Sequence, residues 1–500
     1  MKRLAELLLP DEILASRIEI SFRPSRLAVN TQQVVPGSLF FAIHGKNQDG
    51  HAFIEEAIRK GAAAVAVEDP SVYRSCDRAI LLKDTRSSLA MAASRWWDEP
   101  SRKLKLVGVT GTNGKTTAIF LFRQVWQKLR IPNGGIGTVG FFIGDNFRGA
   151  ELTTPGPLEL QEALHQMVAN KATHAAMEVT SIALDQRRTW GTHFEGVAFT
   201  NLTQDHLDYH GNFETYHLAK RKLFQDYEAA FSVLNIDDPA GLRLLEETAS
   251  PTRLTYSLKD PLADFFVKSA QYRYEGTRAI LATPTGELSL VSPLVGTHNL
   301  YNLVTVLTTT HGLGMDLKEV ATALADATGA PGRLERVNIP ERHIFVDYAH
   351  TDDALDNVLR SLAQLKSANP HCRIFTVFGC GGERDRTKRP KMGRVASHWS
   401  DVTIATSDNP RNEDPEQILN DIEPGIDAKA TRYLRESDRR RAIQQALDLS
   451  SPGDIVLIAG KGHETYQILG AEKIPFDDRE VIQDYYGIRA KCSPGSNGII

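Results

Sequence analysis

Lys115 and Thr116 close a glycine-bearing loop in LKLVGVTGTNGKTTAIFLF (104–122), between an apolar run that reads as a buried strand and an amphipathic run that reads as a helix. Backbone N–H groups at a helix N-terminus carry partial positive charge, a lysine there reaches terminal phosphates, and a neighbouring threonine hydroxyl ligates a divalent cation. The segment is therefore read as a cradle for nucleotide phosphates. Its spacing is shortened. A full P-loop has a glycine five residues before Gly114, where this chain has Val109; instead Gly111 lies three residues before it. The Gly-Lys-Thr triplet alone also begins ordinary surface helices, and the strand before and helix after it favour the cradle here.

Four further features carry chemical groups: Glu178 at the end of HAAMEV, the run NLTQDHLDYH, Lys220 in YHLAKRKLF, and Thr153-Thr154-Pro155. The Glu178 carboxylate and a neutral His206 imidazole, each following a strand-like run, could hold a divalent ion. Taken alone, the His-rich turn equally suits a structural hydrogen-bond network, and Lys220 a solvated helix face.

The elements that must position these groups follow from apolar runs. Short runs (SLFFAI, AAVAVE, AILL) alternate with helical stretches up to residue 100, and the polar hinge DEPSRK precedes the cradle. Strand-like and helical segments then alternate to about 337. From 338 a third unit begins with HIFVDYAH, and its first helix carries Leu355, Val358, Leu359, Leu362 and Leu365 on one face. RIFTVF, VTIAT and IVLIA then suggest a doubly wound parallel sheet. Ligands gather beyond the carboxyl ends of such strands, where GCGGERDRTKRP, SDNPRNEDP and GKGHETYQ follow. Arg384, Arg411 and Glu464 in those loops suit a zwitterion with more than one carboxylate, the arginines pairing carboxylates and Glu464 accepting from an ammonium.

A length of 500 residues is too great for one core and predicts about three domains. The net charge of −4 and the absence of a long basic stretch argue against a nucleic-acid partner. Glu6, Pro10, Asp11 and Glu12 interrupt the apolar N-terminal run, so neither a signal nor a membrane segment is expected, and the chain reads as cytoplasmic. Cys76, Cys372, Cys380 and Cys492 show no paired spacing and read as free thiols.

Thr110 through Thr117, Glu178, Asn201 through His210 and Lys220, in this order and spacing, resemble the Mur ligase family, to which folylpolyglutamate and cyanophycin synthetases also belong. The resemblance implies an α/β protein of three domains: a UDP-sugar-binding unit at 1–103, a central P-loop ATPase domain at 104–337, and a C-terminal Rossmann-like, amino-acid-binding sheet at 338–500. Among family members the chain looks most like those that add the third residue of the peptidoglycan stem. It implies an ATP-dependent amide ligase joining meso-2,6-diaminopimelate to UDP-N-acetylmuramoyl-L-alanyl-D-glutamate through an acyl phosphate, serving the cell wall and thereby cell shape and division.

In the family, the positions matching Gly111, Thr112, Asn113, Gly114, Lys115, Thr116 and Thr117 bind ATP, Asn299 and Asn302 lie near the adenine, Arg333 meets phosphate and Asp347 the ribose. Thr116, Glu178 and His206 would hold Mg²⁺, with Lys220 carbamylated (N6-carboxylysine) in support; Lys115, Lys220, His206 and Glu178 form the catalytic set. The UDP-sugar dipeptide would be met by Thr31, Lys46, Asn47, Gln48, Thr153, Thr154, Thr180, Gln186 and Arg188. Diaminopimelate would be held by Arg384, Asp408, Asn409, Pro410, Arg411, Gly460 and Glu464, with Asp408-Asn409-Pro410-Arg411 separating diaminopimelate users from lysine users. Two departures stand out: Thr180 replaces a more usual serine, and Asn30-Thr31-Gln32 replaces Asp-Ser-Arg beneath the uridine. A monomer is expected. A folylpolyglutamate synthetase, a P-loop kinase or ATPase, and a nucleotide-binding regulator without catalysis are the alternatives.

Overall fold

The computed structural model describes residues 1–45, 48–144, 146–366 and 371–488. Lys46, Asn47 and Cys492 lie outside them. Three large sheets follow one another along the chain, their central parallel strands buried on both faces as apolar runs without alternation require, and Tyr466–Leu469 with Glu472–Pro475 forms a separate two-stranded ribbon.

The first sheet orders its strands Ile13–Ser16, Ala79–Leu82, Ala62–Val67, Ser38–Phe41 and Leu27–Ala28, all parallel except the first. Helix Thr85–Trp96 carries Leu89 and Ala92 into one of its two cores. This unit is joined to the next by Arg187 against Asp84 (3.0 Å), Ser94 Oγ donating to Gly191 O (2.9 Å) and Trp97 stacked on His165.

The middle sheet has eleven strands. Its centre is parallel: Lys105–Thr110 lies between His174–Glu178 and Phe194–Phe199, so that Glu178, Thr110 and Phe199 end on the same edge. Beyond the expected strand-helix alternation, both flanks continue as antiparallel ribbons, Phe141–Ile143 with Asn146–Arg148 on one side, and Phe265–Arg273, Gly276–Thr283 and Gly286–Ser292 on the other. Helices Lys115–Lys128 and Thr297–Gly312 pack on the central strands through Ile119, Phe122, Val125, Leu300, Leu303 and Leu307, one apolar side chain each turn.

The third sheet runs Glu335–Val337, His343–Asp347, Ile455–Ala459, Ile374–Cys380, Val402–Ser407 and Arg432–Arg435. It is parallel apart from Glu335–Val337, which pairs antiparallel and begins the unit slightly ahead of residue 338. Leu355, Val358, Leu359, Leu362 and Leu365 of helix Asp352–Lys366 are buried on one face of it, and Ile443, Leu447 and Ile482 cover the other.

Candidate active site

The phosphate loop is held open by two glycines. Gly111 has φ +149°, and a Cβ there would stand 1.9 Å from Thr200 Oγ1; Gly114, with φ +89°, would drive one to 2.3 Å from Asn302 Oδ1. Only glycine fits either position. The segment 200–203 bolts the loop in place: Asn113 N–H donates to Asn201 Oδ1 (2.9 Å), Thr112 N–H to Asn201 O (2.8 Å) and Thr200 Oγ1 to Asn113 O (2.6 Å).

Two lysines converge on one carbonyl of this loop. Lys115 Nζ donates to Gly111 O and Thr112 O, and Lys220 Nζ donates to Gly111 O, all at 2.8 Å. Lys220 is no surface residue: helix Phe213–Gln225 turns it inward to 2% exposure, 4.5 Å above the Tyr216 ring. Burial first, and the Lys115 cation second, hold its amine well below the usual lysine range. Burial lowers Lys115 as well, opposed by the charges of Glu178 and Asp205.

Glu178 is 1% exposed and accepts from Thr138 N–H at 2.8 Å. His206, in the left-handed region at φ 53°, caps the short helix Leu207–His210, and burial lowers its pKa, leaving a neutral imidazole. The fields of Glu178, Asp205, His206 and Lys220 meet at Lys115, so the residues expected for catalysis occupy one locality. No group of three or more His, Cys, Asp and Glu stands ready-made for a metal among the described residues. A buried carboxylate, a neutral imidazole and the Thr116 hydroxyl do fit Mg²⁺, which binds through few protein groups and keeps water and phosphate oxygens for the rest.

Beyond Glu178, Thr138 Oγ1 lies 3.1 Å from Thr153 Oγ1, Thr154 Oγ1 donates to Glu178 O and to Thr180 Oγ1, and Arg188 bridges Thr154 O (3.0 Å) and Gln186 Oε1 (2.6 Å). Thr153, Thr154, Thr180, Gln186 and Arg188 are thus one continuous network next to the cradle. Thr31 is apart from it, in the first unit, within 3.4 Å of Lys60 Nζ; Gln48 is exposed, and its carbonyl accepts from Gly45 N–H.

A cleft of about 530 Å³ separates the middle and third units. Asn113, Gly114, Thr117, Asn299, Asn302, Arg333 and Asp347 line it, while Gly111, Thr112, Lys115 and Thr116 are not among its lining residues. Arg333 lies over the Tyr348 ring at 4.7 Å. Asp347 accepts from Leu334 and Ala349 N–H, and burial pushes its carboxyl up to about 6. Asp353, which the sequence reading passed over, reaches across the cleft: its Oδ2 accepts from Thr203 Oγ1 (2.8 Å) and Asn113 Nδ2 (3.4 Å).

At the carboxyl edge of the third sheet the three charged loops do converge. A Cβ on Gly381 would lie 3.1 Å from Arg411 Nη1 and 3.6 Å from Arg384 Cγ, so the Arg411 guanidinium and the stem of the exposed Arg384 lie beside that glycine. Asn409 Nδ2 donates to Glu464 Oε2 (2.9 Å), and Gly460 faces Asp408. Lys461, Arg389 and Arg439 were missed from the sequence, and all three side chains are fully buried beneath these loops. Lys461 sits inside GKGHE immediately after an apolar strand, a signal that could have marked it. Arg389 binds Glu413 and Asp421 and donates to Gly381 O; Arg439 pairs with Asp478 at 2.7 Å and donates to Ser407 O and Ala459 O. The two arginines tie the loop starts together from below. Arg439→Met should lower unfolding stability by about 3–5 kcal/mol, since it leaves Asp478 buried without its partner; the denaturant midpoint checks this.

Three family models match consecutive parts of the chain: the Mur ligase family catalytic domain at 25–97, the Mur ligase middle domain at 109–310, and the Mur ligase glutamate ligase domain at 332–462. The UDP-N-acetylmuramoyl-L-alanyl-D-glutamate--2,6-diaminopimelate ligase of Geobacillus kaustophilus (strain HTA426) is 43% identical, covering 91% of this chain and 93% of its own length. The ligase of the same name from Gloeobacter violaceus (strain ATCC 29082 / PCC 7421) is 45% identical over 91% and 92%. A solved structure of a ligase so named superimposes with TM-score 0.72 at 34% identity, covering 97% of this chain and 99% of that one. The MurF ligase from Thermotoga maritima in complex with ADP shares the fold at TM-score 0.59 and 20% identity, over 88% of this chain and 94% of its own. With all three units matched in order and the phosphate loop, Glu178, His206 and Lys220 gathered at one place, the chain belongs to the Mur ligase family.

Proposed function

We propose that this protein joins meso-2,6-diaminopimelate to UDP-N-acetylmuramoyl-L-alanyl-D-glutamate at the expense of ATP. The observation that carries this reading is the placement of Arg384 and Arg411 with the Asn409–Glu464 pair at one sheet edge, next to the nucleotide cleft. Tyr348 spans the distance between them, with Arg333 over its ring and His463 of the amino-acid loop 5.0 Å from it. Relatives more than 40% identical carry that reaction in their names.

A carboxylate is a poor electrophile, so it must first be activated. The D-glutamate carboxylate attacks the γ-phosphorus of ATP, ADP leaves, and the acyl phosphate is attacked by the diaminopimelate amine, which yields the amide and phosphate. Lys115 neutralises charge on the transferring phosphoryl group, and the loop amides hold the β-phosphate region. Thr116, Glu178 and His206 would hold Mg²⁺, which when bound supplies further charge neutralisation on the phosphates, and Lys220 as a carbamate would support it. Thr153, Thr154, Thr180, Gln186 and Arg188 orient the dipeptide end of the UDP-sugar, whose uridine falls to the first unit near Thr31, Lys46, Asn47 and Gln48. Asn299 and Asn302 face the adenine. The third unit carries the amine across the cleft, so closure aligns it with the acyl phosphate. We place the reaction in the cytoplasm, carried out by a monomer; no helix among the described residues is long and apolar enough to cross a membrane.

The test is ADP release with the UDP-dipeptide and Mg²⁺, comparing meso-diaminopimelate, L-lysine and no amino acid. Release with diaminopimelate alone and a tripeptide product is expected. Release without any amine would sink the ligase reading.

A further inference from the structure

We propose that Lys461 is a positioning residue of the amino-acid site, fixing Glu464 so that the pocket selects an amino acid with an ammonium at its distal end. This rests on the diaminopimelate reading above and adds a residue to it. The Lys461 side chain is 0% exposed, with its Nζ 3.0 Å from Glu464 Oε2, 3.1 Å from Asn409 Oδ1 and 3.7 Å from Asp408 Oδ1. Asn409 Nδ2 donates to the same Glu464 oxygen at 2.9 Å, so two donors hold Oε2 and, among the described residues, Oε1 is left over. Asp408 Oδ1 is itself buried and makes no hydrogen bond among the described residues.

Asp408 and Glu464 share one buried cation, Lys461, while Arg439 below is matched by Asp478 and Arg411, at the neighbouring glycine, makes no ion pair among the described residues. A buried carboxylate oxygen is costly unless a donor completes it. A buried carboxylate oxygen without a donor and a second carboxylate with a spare oxygen suit an ammonium, which brings three N–H groups. Arg384 and Arg411 at the neighbouring glycine are left for the distal carboxylate. Lys461 therefore sets the orientation of Glu464, which without it would lose its anchor.

The experiment compares meso-diaminopimelate with 2-aminopimelate, which keeps both carboxylates and lacks the distal amine, in the wild-type chain and in Lys461→Met. The wild type should prefer diaminopimelate by about tenfold or more in kcat/KM, and the variant by about threefold or less, the loss falling on the KM for diaminopimelate with the KM for ATP unmoved. An unchanged preference, or a fall in kcat alike for both amino acids, would overturn the proposal. If Lys461→Met does not fold, Lys461→Met with Glu464→Gln removes both charges together and is compared with Glu464→Gln alone. Equal preferences support the proposal, and a further loss common to both amino acids overturns it. Wild-type protein that turns over neither amino acid would overturn the substrate reading, and the proposal with it.

Discussion

Lys220→Ala is expected to lower kcat by about 10³-fold or more, and millimolar formate or acetate to restore part of it. The Lys220 amine is buried, depressed below the usual lysine range and linked to Gly111 O, and a neutral amine is the form that adds CO₂. The addition releases a proton and leaves an anion beside Lys115, an attraction that the neutral amine lacks. Burial thus favours the reactive form of the amine, and the neighbouring cation favours the product. A depressed lysine binds fewer protons folded than unfolded, so at neutral pH the unmodified amine weakens the fold, and stability rises with pH until the free-lysine range is passed. Removing CO₂ should accordingly reduce melting temperature as well as activity. A purely structural lysine, holding the loop through Gly111 O alone, would give a variant that small carboxylates do not rescue. ¹³C NMR under ¹³CO₂ reads the carbamate directly, and absence of its signal together with absence of rescue would end this account.

The residues legible in the sequence are those whose role depends on neighbours along the chain. The cradle is a strand, a turn and a helix start, and its two glycines are required by contacts with Thr200 and Asn302 that the strand order brings near. The face of helix Asp352–Lys366 was equally readable, because an apolar period needs only one element. The antiparallel ribbons flanking the middle sheet were not read, since their half-exposed strands lack long apolar runs. Lys461, Arg389 and Arg439 were missed for a different reason. Charged residues in charged segments look solvated, and it takes the packing of Tyr466–Leu469 near Lys461, of Asp478–Tyr485 against Arg439 and of Pro415–Ile422 against Arg389 to bury them. Asp353 shows the same limit, since its partners Asn113 and Thr203 stand far off in sequence and meet it only across the cleft.

That contact also says how the units communicate. Asp353 holds Thr203 and Asn113, which themselves brace the phosphate loop, and Tyr274 from the middle sheet stacks on His343 of the third at 3.9 Å. The third unit is thus tied to the glycine-bearing loop of the middle unit, and Arg333 and Tyr348 continue the contact to His463 in the loop proposed for the amino acid. In the proposed reaction the alignment of nucleotide and amine across this cleft would be a matter of hinge position more than of side-chain rearrangement.

Arg411→Leu should lower kcat/KM for meso-diaminopimelate by about 10³-fold or more and bring lysine level with it. The two amino acids differ by one distal carboxylate, and a carboxylate buried without a cation costs several kcal/mol, about three powers of ten in affinity. The surroundings of Arg411 suit that proposed role. It makes no ion pair among the described residues; its Nη1 donates only to Gly382 O (2.8 Å) and Asn409 O (3.3 Å), which orient the guanidinium without neutralising it. Its backbone has φ 54°, a strained value for an arginine, sustained by its N–H to Ile468 O and by Gly470 N–H on its carbonyl. Arg411→Lys should recover little, because an ammonium supplies a point charge where the planar fork offers two parallel donors. In the wild type the same cation acts against lysine, which would bury it unmatched. The variant should therefore lose discrimination from both directions, with the rate for lysine holding or rising as that for diaminopimelate falls. Steady-state kinetics with both amino acids decide it: a proportional loss for the two would mean that Arg411 only supports the loop and that selectivity lies elsewhere.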